Sequence, residues 1–229
     1  MSEVDHPIHQ QFSDEELRAI VDEAKRAERV VAAHCHGKPG ILAALRAGVS
    51  TIEHGSCLDE ECVALMQESN AILVPTRYIV NRILSMVGKG VFAPYAEQKA
   101  LSLAEQHAQA IKLAYQNGVC IAMGTDIATT PPNAMCPYGE HAKELSLLME
   151  CTGMSAMEAI TCATSNGPLT LGPQAPRSGR LEVGYDADMI AVTSSPLDDI
   201  RVLEDHTAIS HVWLAGRLVK SDGNLVDAY

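Results

Sequence analysis

The sequence predicts a parallel α/β architecture followed by a small β appendage, and three observations carry that prediction. Short apolar runs end near residues 34, 54, 76 and 126, and helix-patterned stretches separate them. From Gly167 to Pro176, glycine and proline punctuate the chain, and several further strand-like runs follow. Strands alternating with helices at such intervals argue for βα units rather than antiparallel meanders.

Each element follows in order. Ser13 and Glu16 stand as a capping box before apolar residues at Leu17, Ile20, Val21 and Ala24, the spacing of an amphipathic helix. Val30 to Ala33 is short, apolar and partly β-branched, the composition of a buried parallel strand, and it ends at His34-Cys35-His36-Gly37. Lys38 to Ala47 reads as a helix stopped by Gly48, and Ser50 to Gly55 as a second strand ending on His54. A helix over Asp59–Ser69 precedes a strand at Ala71–Thr76, and a long helix over Tyr95–Gln116 precedes a fourth strand from Val119 toward Asp126. Helices are expected at Tyr138–Glu150 and at Ser155–Ser165, the latter opened by a second capping box, Ser155 with Glu158. The appendage carries runs at Ala187–Thr193 and Ile209–Leu214, and a turn at Ala215-Gly216 leads into Arg217–Lys220.

Composition narrows the function. The 17 Lys+Arg against 29 Asp+Glu leave a formal charge of -12, which argues against nucleic acid or an anionic membrane surface as partner. With 47% apolar and 20% charged residues, the 229-residue chain supports a sizeable core as one large domain or two small ones. No apolar run approaches the roughly 18 to 20 residues of a membrane span, and the acidic N-terminal stretch does not read as a secretion signal. Seven cysteines without a CxxC pair point to a reducing, cytoplasmic setting.

Successive strand residues face opposite sides, so His34 and His36 share a side and Cys35 looks the other way. In a parallel barrel the strand C-termini form one rim, which brings His34, His54 and Asp126 to a common mouth. Two imidazoles and a carboxylate suit zinc, manganese or iron; the alternative is that each histidine is an ordinary core or loop residue. A metal there would lower the pKa of water and polarise a carbonyl, with Asp126 as proton carrier to a leaving amine. Cys35 and Cys57 are rival nucleophiles, but neither sits at an evident helix N-terminus. Gly88-Lys89-Gly90 lacks the context of a phosphate loop.

The order Val-Ala-Ala-His34-Cys-His36-Gly, then Ile-Glu-His54-Gly, then Gly124-Thr-Asp126, resembles the metal-dependent amidohydrolase superfamily, a TIM-barrel group of hydrolases. Glu-His141-Ala-Lys-Glu-Leu, the Gly153 to Leu169 segment ending Ser-Asn166-Gly-Pro-Leu, and Gly179-Arg-Leu-Glu-Val-Gly-Tyr-Asp-Ala-Asp188-Met-Ile extend the likeness over almost the whole chain. Within the superfamily the sequence is most similar to the imidazolonepropionase-like and Xaa-Pro dipeptidase-like branch. The resemblance implies that His34 and His54 bind metal from strands five and six of the barrel. It implies that Asp126 both binds metal and moves the proton, and that His36 lies near substrate or transition state. Thr76, Arg77 and Tyr78 follow the seventh strand, where Arg77 and Tyr78 either hold a substrate carboxylate or carbonyl or simply solvate a loop.

Full members of the superfamily carry a His-x-His after strand one and a bridging carboxylated lysine after strand four. Here His6, His9 and Lys25 are poor substitutes. The chain therefore reads as the C-terminal half of a TIM (β/α)8 barrel, residues 1–176, followed by part of a small β-sandwich, residues 177–229. The implied cofactor is a divalent metal, zinc first, binuclear only when the N-terminal half is present; a mononuclear site of His34, His54 and Asp126 is the variant. The implied activity is hydrolysis of a C–N bond, releasing an amino acid from an N-acyl amino acid or peptide-like substrate, in the manner of a carboxypeptidase. Half a barrel leaves edge strands at Val30–Ala33 and Val119–Met123, so a homo-oligomer or a complementing N-terminal half-barrel is expected. The alternative is a catalytically silent half that folds only with a partner or a second copy.

Overall fold

A computed structural model of the chain describes residues 6–127 and 136–226. Helix α1 (Asp14–Arg26) opens on the expected capping box: the Glu16 amide donates to Ser13 Oγ at 3.3 Å and the Ser13 amide donates to Glu16 Oε2 at 2.8 Å. Strand β1 (Ala32–Cys35) leads through Gly37 to α2 (Lys38–Ala47), which ends at Gly48 in the left-handed region with φ 94°. Strand β2 (Thr51–His54), α3 (Glu60–Ser69, capped by Asp59) and β3 (Ile72–Val74) continue the alternation. The three strands pair in parallel in the order β1-β2-β3, with Ala33 opposite Ile52 and Ile52 opposite Leu73.

Two features depart from the sequence expectation. The fourth strand is reduced to one parallel bridge between Leu73 and Ile121, made by Leu73 N–H donating to Cys120 O and Ala122 N–H donating to Leu73 O. The next rung would need an N–H at Pro75, which proline lacks, so the ladder stops. On the opposite edge of the segment the Met123 amide donates to Cys162 O of α7 and the Asn166 side chain donates to Ile121 O at 2.8 Å, while Gly124 packs so closely on Val74 that any Cβ there would collide. The second departure is α4 (Arg77–Met86), an unanticipated helix directly after β3. Long helix α5 (Pro94–Gln116) follows, then α6 (Lys143–Thr152) and α7 (Ala156–Ala163). Helix α6 starts later than expected and ends later, and α7 has both halves of its Ser155–Glu158 capping box.

Residues 168–174 form a 3-10 turn that runs back to the start of β1, where Gly172 meets Val30. The second sheet, β4 (Met189–Val192), β5 (Ile209–Leu214), β6 (Arg217–Ser221) and β7 (Asn224–Leu225), is antiparallel in sequence order. Its tight turn is Ala215-Gly216, both at positive φ (51° and 77°), as a two-residue hairpin with a right-handed twist requires. The Asp188 carboxylate accepts the Ala215 amide at 2.7 Å, a structural task for that acid.

Period-two alternation divides the parallel sheet into two faces. Ile52 and Leu73 face the helices and join Ile41, Met66, Ile111 and Leu148 in the main core, all buried to within 0% exposure. Ile72, Val74 and Ala122 form a smaller cluster on the other face. Truncating a fully buried member such as Ile111 to alanine removes about 2–5 kcal/mol. No helix among the described residues is long and apolar enough to cross a membrane.

Candidate metal centre

The site grows from the ends of β1 and β2. Ala33 and Cys35 pack on the helix-side core, which leaves Ala32 and His34 exposed on the opposite face and brings His36 round beyond the strand. His54 closes β2 with φ 69°, Thr76 follows β3 with φ 53°, and Asp126 ends the bridged segment with φ 57°. Left-handed backbone at non-glycine residues is uncommon and persists only where surroundings over-determine it; here it turns one residue at three successive strand ends.

The imidazoles of His34, His36 and His54 converge. Ring centroids lie 4.8 Å apart for His34–His36, 4.6 Å for His34–His54 and 4.8 Å for His36–His54. One ligand nitrogen from each falls within 4.8 Å of the others. Hydroxyl groups orient two of the rings: His36 Nδ1 meets Ser56 Oγ at 2.8 Å, and His54 Nδ1 meets Thr76 Oγ1 at 2.6 Å. Burial, with the neighbouring His34, lowers the His36 pKa to about 4. Burial and the other rings lower that of His54 to about 3. Both rings are therefore neutral at neutral pH, the state in which imidazole binds a metal. The donor set fits a borderline divalent cation, and His34, His36 and His54 would hold it.

Asp126 is exposed and lies outside this three-imidazole cluster. Its charge reaches Glu53, whose carboxyl is pushed up by burial and by Asp126 against the hydrogen bond from Thr51. Arg77 and Tyr78 form the first turn of α4, and both polar heads are engaged by the protein. Arg77 Nη1 donates to Ala104 O at 3.0 Å and to His107 Nδ1 at 3.3 Å. Tyr78 is 1% exposed and its hydroxyl donates to Glu140 at 2.5 Å. The Cys35 thiol is raised to about 11 by burial and Glu53, so it stays protonated and is a poor nucleophile. His6 and His9 line the same groove along β1 but are not part of the imidazole cluster.

Sequence reasoning missed Ser56, His107 and Glu144, and named Thr76 at its strand end without a role. The signal for His107 and Glu144 is a polar residue in an apolar register. His107 falls on the buried stripe Ala100, Ala104, Ala110, Ile111 and Ala114 of α5; Glu144 falls on the stripe Leu145, Leu148 and Thr152 of α6. Glu144 is fully buried and accepts the backbone amides of Arg77 (2.7 Å) and Tyr78 (2.5 Å) at the start of α4. Burial pushes its pKa up to about 8 despite those donors. A folded pKa above the unfolded one means stability is full below the ordinary carboxylate range and falls as pH rises toward 8. The slope is about 1.4 kcal/mol per pH unit for one group. Denaturation across pH 5 to 8 should show that decline, and Glu144→Gln should flatten it; an unchanged slope would mean that Glu144 is ionised throughout.

Comparison with known proteins gives the family. The amidohydrolase family model matches residues 1–219. Ochratoxinase of Aspergillus niger is 44% identical over 223 residues, 97% of this chain and 45% of that protein. Its crystal structure superposes with a TM-score of 0.86 over 95% of this chain and 48% of that one. A Xaa-Pro dipeptidase crystallised with methionine in its active site is 35% identical, with a TM-score of 0.82 over 92% of this chain and 50% of that one. The chain spans about half the length of these relatives. With the family model covering nearly all of the chain and its motifs meeting at one set of strand ends, this chain belongs to the amidohydrolase family.

Proposed function

We propose that the chain is the metal-binding C-terminal part of a hydrolase that cleaves an amide C–N bond, releasing an amino acid from an N-acyl amino acid or a peptide-like substrate. The observation that carries the reading is the convergence of three imidazoles, at least two of them held neutral, at the ends of two parallel strands. The relatives' names, ochratoxinase and Xaa-Pro dipeptidase, support the bond type. The parallel order β1-β2-β3 plus the bridged segment supports half of a TIM barrel, residues 1–176, with a β-sandwich segment after it. A cytoplasmic setting fits seven thiols without a CxxC spacing.

A bound divalent cation, zinc first, supplies Lewis acidity toward the scissile carbonyl and makes water nucleophilic near neutral pH. The chain's own residues do the rest. His34, His36 and His54 would hold the cation through one ring nitrogen each. Asp126 takes a proton from the attacking water and returns it to the leaving amine, which needs a carboxylate accessible from the mouth, as its exposure allows. Dialysis of the whole protein against a chelator should abolish hydrolysis of N-acyl amino acids, and zinc should restore it. Activity that survives complete metal removal would refute the reading.

One observation favours a second reading, a catalytically silent half that needs a complement. Strand β1 pairs only with β2 among the described residues. A cavity of about 530 Å³ lined by Phe12, Ile20, Val31, Ala33 and His34 runs along its other side. The occupant that this groove fits is the remaining part of a barrel, a parallel strand with its helix; a second copy of the chain is the other outcome.

A further inference from the structure

The buried histidine of α5 is not part of the imidazole cluster, yet its hydrogen bonds go to Pro75 and Arg77, the residues on either side of Thr76, whose hydroxyl meets His54. His107 is 0% exposed, and a buried ring must satisfy both nitrogens. Its Nε2 lies 2.8 Å from Pro75 O, and a carbonyl only accepts, so Nε2 carries the proton. Its Nδ1 is then the lone pair that receives Arg77 Nη1. Pro75 O takes a second donor, the Thr76 hydroxyl at 2.7 Å, which fills both of its acceptor sites. That hydroxyl has one proton, so toward His54 it can only accept, and His54 Nδ1 must be the protonated nitrogen of the 2.6 Å contact. His54 Nε2 is left with its lone pair free.

This relay needs Thr76 to stay at φ 53°, ψ 45°, a left-handed conformation that is strained for a β-branched residue. Two buried side chains from other helices clamp it. His107 holds the carbonyl before Thr76, and Glu144 holds the two amides after it.

We infer that His107 is a positioning residue for the metal centre: with Glu144 it clamps the Pro75–Thr76 turn so that Thr76 fixes the tautomer and orientation of His54. The inference rests on the proposed function only in taking His54 as a ligand. Partners that orient a ligating imidazole typically contribute 10- to 100-fold in metal affinity.

The test uses the whole protein as wild type, His107→Leu, His107→Gln, Thr76→Val and the His107→Leu/Thr76→Val double variant. The glutamine amide keeps a donor where Nε2 stood. Ring nitrogen-15 shifts of the metal-free protein report the His54 tautomer, and competition with a chelator reports zinc affinity. Wild type and His107→Gln should show His54 protonated at Nδ1 and zinc affinities within about threefold of each other. His107→Leu and Thr76→Val should each mix the tautomers and weaken zinc by about 10- to 100-fold. The double variant should be no weaker than Thr76→Val alone, because both act through one contact. A folded His107→Leu protein with the wild-type tautomer and affinity, or losses that simply add, would overturn the inference. Should the leucine variant not fold, a wild-type tautomer in Thr76→Val, or a mixed one in His107→Gln, overturns it equally. Wild-type protein that shows the expected tautomer but binds no zinc would instead sink the proposed function and leave the positioning role standing.

Discussion

Exchange of Asp126 for asparagine in the whole protein is expected to lower kcat by about 10²- to 10⁴-fold, the range that a positioned proton carrier contributes. The substitution is nearly isosteric, and asparagine accepts a φ of 57° at least as readily as aspartate, so the backbone at this strand end should be undisturbed. Exposure of the side chain means that little packing is lost. Since Asp126 stands outside the imidazole cluster, zinc affinity should fall less than in His54→Ala, which removes a member of that cluster. A second readout is independent of turnover. The Asp126 charge helps hold the Glu53 carboxyl above its ordinary value, so Glu53 should titrate lower in the variant. Turnover within a few-fold of wild type would remove Asp126 from the mechanism, whatever happened to Glu53.

The second large effect concerns the outer edge of β1. Produced alone, this chain is expected to self-associate and to be inactive, and a polypeptide supplying the rest of its relatives' length should yield a discrete, active complex. The physical reason is that β1 has no strand on its outer edge among the described residues, beside exposed Ala32 and a groove lined by Phe12, Ile20 and Val31. Ala32→Lys places a charge on that exposed face and should weaken both self-association and complementation, while the core behind Ala33 and Cys35 is untouched. Gel filtration over a range of concentrations reads the result. A compact monomer whose β1 amides resist hydrogen exchange would show that the edge needs no partner.

Local order was legible in the residues to a useful degree. The two capping boxes, Ser13–Glu16 and Ser155–Glu158, are met in both halves, and the Ala215-Gly216 turn has the backbone that its residues favour. The spacing of two between His34 and His36 placed both rings on one side with Cys35 turned away, because strand side chains alternate. Less legible were positions governed by a neighbouring strand. The run Val119 to Met123 has a strand's composition, but Pro75 directly after β3 offers no N–H for the next rung, and pairing stops at one bridge.

By itself, then, the sequence determined the alternation of strands and helices, the side on which each histidine projects, and the family. All three follow from backbone periodicity and from motifs a few residues long. Only the tertiary structure decided which groups face one another: Arg77 turned to α5 rather than toward the mouth, Asp126 outside the imidazole cluster, and His107 and Glu144 gripping a turn 32 and 67 residues away. A polar residue in an apolar register announces that some partner must exist, since a buried polar group without one is costly. Which partner it is depends on how whole helices pack, and that no local pattern encodes.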